Sequence, residues 1–481
     1  MMHKIKLAPR STAIPMLTVA LGLMGLSSCN WSGGGAVNSY VPNNLPTPSN
    51  VANTVPVTVG PNLGKYPNGN AVFTSVTVCD PAVFPVGQNP LGGPPDVNCQ
   101  TIPNILVDTG SVGLRLLESP ALDGLGLPVV TDSENNTLQE CVQFADLSYV
   151  WGPVSRATIQ MAGETAAQVP LLNEIANTGI PIQIITPSAY LSTAVPADCL
   201  SSPPAGGVSI AADTLQTLGA NGILGIGNFP LDCGSACASS PPRDQYYSCP
   251  SGLCSVATVP QNLQLWNPVA AFAYDNNGLL LSLPLLANDA SASGPISGSL
   301  IFGNGTQSDN ALGNAQIYAI DAYGNFPEVT LSYAPISTSP PTVFVSYVSP
   351  QNGSYIDTGS PAIYFSDAQS LSIPECLDTN GSPLGLYCPA ALTSFSAQVY
   401  GTNKAQRPIY WNTDNAATLL SSGNSVFSTL GGDSGMDLAT DYIDFGVPFF
   451  LGQNVFVGFA GTTALDAQGQ VESYANGYWA F

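Results

Sequence analysis

The chain has 481 residues, with nine Lys and Arg against 31 Asp and Glu, a single His and a formal net charge of −22. That acidic balance argues against nucleic acid as a partner, and with only 8% of residues charged the surface must draw on Ser, Thr, Asn, Gln and Gly. The one histidine, His3, stands in the first few residues, so no Ser-His-Asp, Cys-His or histidine-based metalloprotease system is available to a folded body.

Taken in order, residues 1–29 carry a basic start (Lys4, Lys6, Arg10), an apolar run from Ala13 to Leu26, and the ending Leu26-Ser27-Ser28-Cys29. This is the pattern of a signal peptide. The apolar run of about 14 residues falls short of the roughly 20 that span a bilayer. The ending resembles the bacterial lipobox, which implies cleavage before Cys29 and its lipidation. Asn30 in the next position implies, by the same resemblance, an outer-membrane lipoprotein of the cell envelope facing the periplasm or the exterior, touching the membrane through its lipid anchor alone. Residues 30–53 are rich in Gly, Pro, Ser and Asn and read as a flexible tether. The rest exceeds what one core usually holds, so two domains are expected, 54–310 and 311–481.

Ten cysteines remain once Cys29 is set aside, and an even number in an exported chain suggests disulfides. Spacing favours the local pairs Cys79 with Cys99, Cys141 with Cys199, and Cys376 with Cys388. Cys233, Cys237, Cys249 and Cys254 then pair among themselves, with a four-thiolate zinc site as the weaker alternative.

Short apolar or alternating runs recur at Ala71 to Val78, Ala157 to Met161, Ile180 to Thr186, Ser299 to Phe302, Val343 to Val348 and Val455 to Phe459, separated by turns rich in Gly, Pro and Asn. The expectation is a mainly β fold with weak helices near Ala211 to Leu218 and Asp367 to Ser370. No period of about 20 to 50 residues repeats, which disfavours a propeller or solenoid.

One stretch does return. Asn104-Ile105-Leu106-Val107-Asp108-Thr109-Gly110-Ser111 is echoed 249 residues later by Ser354-Tyr355-Ile356-Asp357-Thr358-Gly359-Ser360. Each copy is an apolar run ending at an aspartate, where a hydroxyl can hold the carboxylate and a glycine admits close approach of backbone. Further on lie Asn221 to Gly227 (NGILGIG) and Pro448 to Gly452 (PFFLG), with Gly225 lying 117 residues past Asp108 and Gly452 lying 95 past Asp357.

With these features the chain resembles the pepsin-like aspartic peptidases from about residue 54 to its end. The resemblance implies a bilobal fold of two pseudo-symmetric β lobes with the active cleft between them. It also implies a strand crossing beneath each Asp-Thr-Gly, supplied here by NGILGIG and PFFLG. Ala157 to Gly163 looks like the strand leaving the flap hairpin, and Gly298 to Gly303 like the end of the first lobe. Asp108 and Asp357 become the catalytic pair. Thr109 and Thr358 lock the lobes together, Ser111 and Ser360 bond the outer carboxylate oxygens, and Gly110 and Gly359 complete the turns. Two departures stand out. Arg115 occupies the neighbourhood of a family tryptophan, and the flap tyrosine has no aligned counterpart, leaving Tyr149 or Trp151 as flap candidates. Residues 30–53 hold no Lys or Arg, so no basic propeptide is expected to plug the site. A nearer resemblance is to an uncharacterised family of bacterial lipoproteins that share the double motif.

The chemistry this implies is peptide-bond hydrolysis by a water held between two carboxyls that share one proton, with a peptide or protein as substrate and neither cofactor nor metal. Two other readings remain. A non-catalytic binding or inhibitor-like module on the same fold would not need both Asp-Thr-Gly-Ser units. A glycosidase using paired carboxylates has no supporting motif.

Overall fold

Strand Thr54–Gly60 shows how the sequence forms this fold: Val55, Val57 and Val59 point inward while Thr54, Pro56 and Thr58 face out, the period-two pattern of a half-buried strand. It pairs antiparallel with Ile296–Phe302 on one side and with Ala71–Cys79 on the other. The computed structural model describes residues 49–64, 69–81, 98–146, 148–171, 178–186, 194–200, 210–287, 290–333, 343–349, 353–365, 373–378, 381–434, 442–465 and 469–481. Over these the protein is mainly β, in several sheets.

Most of the expected strands are present: Ala71–Cys79, Ser148–Met161, Ile180–Ile185, Ile296–Phe302, Val343–Val348 and Asn454–Gly458. The run around Ala157 is the second half of a 14-residue strand. Of the helix expected near Ala211 to Leu218 only one turn forms, Leu215–Leu218, capped by the Thr214 side chain. The segment Asp367 to Ser370, and Cys29 with residues 1–48, lie outside the described residues. Ser49 and Asn53, expected to belong to the tether, are tied to the body. Ser49 N donates to Thr306 O, and Asn53, 4% exposed, receives the Phe302 amide on its carbonyl and donates its side chain to Phe302 O.

Two small assemblies repeat. Cys99–Asp108 runs parallel to Gly222–Ile226, pairing Asp108 with Gly225, and Gly222–Ile226 also pairs antiparallel with Val112–Leu117. In the second half Tyr355–Ile356 runs parallel to Ile443–Phe445, which pairs antiparallel with Ile363–Phe365. The strand beneath the second motif is therefore Ile443–Phe445 followed by Gly446, not the PFFLG run. Val447–Phe450 forms one helical turn, because Pro448 cannot donate to a sheet ladder but suits the first turn of a helix. The apolar pattern misled because a buried aspartate, Asp444, interrupts the true strand.

A division at residues 310 and 311 cuts through a continuous sheet. Asn454–Gly458 pairs with Gly278–Ser282 and with Tyr478–Ala480, which pairs in turn with Ile317–Ala319. One apolar cluster likewise runs from Val57, Leu114 and Leu224 to Phe365, Trp411 and Phe445.

Five disulfides are formed: Cys79–Cys99, Cys141–Cys199, Cys233–Cys237, Cys249–Cys254 and Cys376–Cys388. The quartet thus divides into two tight local bridges instead of a thiolate cage.

Candidate active site

The two Asp-Thr-Gly-Ser turns meet. Thr109 N donates to Thr358 Oγ1 and Thr358 N donates to Thr109 Oγ1, both at 3.0 Å. Each hydroxyl also reaches across to a carbonyl of the other half: Thr358 Oγ1 donates to Val107 O at 2.7 Å, and Thr109 Oγ1 to Ile356 O at 3.3 Å. Both threonines are 1% exposed. Buried amides and hydroxyls that find partners only across the seam fix the two turns against each other.

The clamp sets the carboxyls. Gly110 N donates to Asp108 Oδ1 at 2.9 Å and to Asp357 Oδ1 at 3.0 Å, so both oxygens lie within reach of one amide. Gly359 N donates to Asp357 Oδ1 at 2.7 Å. Ser111 Oγ donates to Asp108 Oδ2 at 2.5 Å, and Ser360 Oγ lies 3.1 Å from Asp357 Oδ2. The glycines are required by space: a Cβ on Gly110 would stand 2.5 Å from Asp357 Cγ, and one on Gly359 2.8 Å from Asp108 Oδ1. All eight residues expected from the duplicated motif are brought together.

Asp357 is held well above the usual carboxylate range, first by burial and then by the adjacent Asp108 and Asp444, against the Gly359 amide, which lowers it. Burial beside a second carboxyl disfavours the charged form, so Asp357 keeps its proton where an isolated carboxyl would be ionised. Such a pair can take a proton with one member and give one with the other.

Sequence reasoning missed Asp444. It is 4% exposed, its Oδ2 lies 2.5 Å from Ser360 Oγ, and it too is pushed well above its ordinary value, chiefly by burial. The signal was the sequence Ile443-Asp444-Phe445-Gly446, a short apolar run ending in glycine like that of the first half but with an acid inside.

The family profile described as protein of unknown function, DUF3443, matches residues 49–481. The chain belongs to that family. Among curated proteins nothing matches.

In this DUF3443 member the turn carrying Asp108 is braced from behind. Arg115, 2% exposed, donates from Nη1 to Val112 O at 2.7 Å and from Nη2 to Glu140 Oε1 at 2.7 Å, with Asp232 Oδ2 at 3.6 Å. Asp232 Oδ2 also accepts from Tyr246 Oη and Gln245 Nε2, each at 2.7 Å. One guanidinium facing two buried carboxyls leaves Asp232 pushed well up, mainly by burial and by Glu140. Arg115 thus ties the strand leaving the first motif to Leu138–Gln143.

The flap candidates are buried. Tyr149 and Trp151, 9% and 2% exposed, pack with Cys141, Cys199 and Tyr247 in an aromatic and disulfide cluster, Trp151 meeting Tyr247 edge-on at 5.2 Å. They are core residues of the hairpin formed by Leu138–Gln143 and Ser148–Met161. Near its tip Asp146 accepts from Ser148 Oγ at 2.6 Å, and its charge is among those that raise Tyr364, after burial and Asp444.

Proposed function

We propose that this protein is an aspartic-type endopeptidase with the bilobal architecture of the pepsin-like enzymes, hydrolysing peptide bonds by a water activated between Asp108 and Asp357. The observation that carries the reading is the reciprocal Thr109–Thr358 clamp, with both inner carboxylate oxygens reached by Gly110 N. A binding module needs no such arrangement of two half-related acids. In the proposed reaction the ionised member takes the water's proton and the protonated member donates to the carbonyl oxygen of the scissile bond. Both are held by fixed amides and hydroxyls that need no reorganisation as charge moves. The Leu26-Ser27-Ser28-Cys29 pattern supports placing the enzyme on the cell envelope through a lipid on Cys29, acting on extended peptide or protein segments.

A transition-state mimic with a central hydroxyl in place of the scissile carbonyl tests the reading. It should bind the intact protein at acid pH, and Asp108→Asn or Asp357→Asn should lose ~100-fold or more in affinity, since such compounds bind through the group that activates water. Equal affinity for all three proteins, or none for the unmutated one, speaks against a peptidase.

A further inference from the structure

Ser360 faces two carboxyls and has one proton to give. Its Oγ lies 3.1 Å from Asp357 Oδ2 and 2.5 Å from Asp444 Oδ2. A hydroxyl donates a single hydrogen bond, so both contacts are hydrogen bonds only when one of these acids is protonated and donates to Ser360. The first half has no such choice. Ser111 Oγ meets Asp108 Oδ2, and the position matching Asp444 in strand register, opposite Leu106 as Asp444 is opposite Tyr355, holds Ile223.

Asp444 Oδ1 has no hydrogen-bond partner among the described residues. An ionised carboxylate buried with one hydrogen bond is far costlier than the neutral acid. Facing it are Asp357 and Ser360 from the second motif, Asp108 from the first, Tyr355 across the parallel pair and Tyr364 across the antiparallel pair, with Tyr442 just before its own strand and Asp146 acting on Tyr364 from the hairpin. None of these is a cation. Burial first, and then the charge of Asp108, oppose its ionisation, while the Ser360 hydrogen bond favours it.

We infer that Asp444 is a third proton-holding group of this site, a positioning residue that exchanges a proton with Asp357 through the Ser360 hydroxyl. In the exchange Asp444 Oδ2–H passes its proton to Ser360 Oγ while Ser360 passes its own to Asp357 Oδ2. The serine is regenerated with its hydroxyl turned, one acid becomes a carboxylate and the other carboxylate an acid, and nothing is oxidised or reduced. The consequence for catalysis rests on the peptidase reading; the three-acid proton sharing does not. Once Asp444 is ionised its charge opposes loss of the last proton from Asp108 and Asp357, so the singly protonated pair persists to higher pH than two acids alone would allow.

Two substitutions test this in the full protein. Asp444→Asn keeps the shape but cannot release a proton, and Asp444→Ile copies the first half. Thermal unfolding identifies the folded variant to be used. Infrared titration of the protonated carboxyl stretch should lose a band in that variant that in the unmutated protein persists above the pH range in which isolated carboxyls ionise. The alkaline limb of kcat/KM for a peptide should move down by about one pH unit. If the unmutated protein cuts no peptide but the band is lost on substitution, the proton sharing stands and the peptidase reading fails. If it cuts peptides and substitution moves neither band nor pH limb, the inference is overturned and the peptidase reading survives.

Discussion

Thr358 ties the two turns together through both its side chain and its amide. It accepts from Thr109 N, donates to Val107 O and places its own amide on Thr109 Oγ1. Thr358→Val keeps the volume and removes the hydroxyl, stranding the Thr109 amide and the Val107 carbonyl in a buried place. A buried group left without a partner costs about 1–3 kcal/mol, so denaturant unfolding should show a loss of that order, with any peptide hydrolysis falling further as the turns lose register. A Thr358→Val protein as stable as the original would mean the clamp is decorative. At this scale the sequence was informative where function needs residue types in order, since Asp108 to Ser111 and Asp357 to Ser360 all arrive at one place. It was uninformative for Asp444, because a lone acid in an apolar run has no partner nearby in sequence; Ser360 is 84 residues away.

The hairpin Ser148–Met161 to Glu164–Ala166 carries its own pH dependence. Glu164 is 1% exposed, accepts from Tyr274 N at 3.3 Å, and is pushed up to about 8 by burial first and by Asp275, against the Tyr274 amide. Between its unfolded value near 4.5 and about 8 the folded state binds the extra proton, so stability is present in full at low pH and falls as pH rises through that window. Melting temperature should therefore drop from pH 5 to pH 8, and Glu164→Gln, neutral in both states, should flatten the decline. A slope unchanged by the substitution would assign the pH dependence to other groups, Asp232 first. Strands were legible at this level where a short apolar run is bounded by turn residues, as at Ala71–Cys79 and Ile180–Ile185. Partnership was not: the PFFLG run passed for a strand because apolar residues in a short run satisfy a helical turn as readily. For Tyr149 and Trp151 the sequence shows aromatic character but not the cluster with Cys141, Cys199 and Tyr247 in which they pack.

For the molecule as a whole, the paired motifs announce two related halves, but the sheet does not stop between them. Strands Asn454–Gly458 and Tyr478–Ala480 join Gly278–Ser282 and Ile317–Ala319, long-range pairings that no local pattern encodes. Likewise the cysteine spacing revealed three bridges because each closes a modest loop, the longest separation being 58 residues, and left the pairing within the quartet of Cys233, Cys237, Cys249 and Cys254 open. A shared sheet and a clamped seam give the two aspartates a fixed separation, and the proposed catalysis depends on both of them acting as one unit. The most direct test is kcat/KM on a peptide pool across pH 2 to 7, followed by mass spectrometry, for the unmutated protein, Asp108→Asn and Asp357→Asn. The expected result is cleavage with an acid optimum and a fall of ~1,000-fold or more for either single variant, with the folded, disulfide-bonded state retained. Cleavage by either Asn variant at the original rate, or no cleavage by the unmutated protein at any pH in that range, would contradict it.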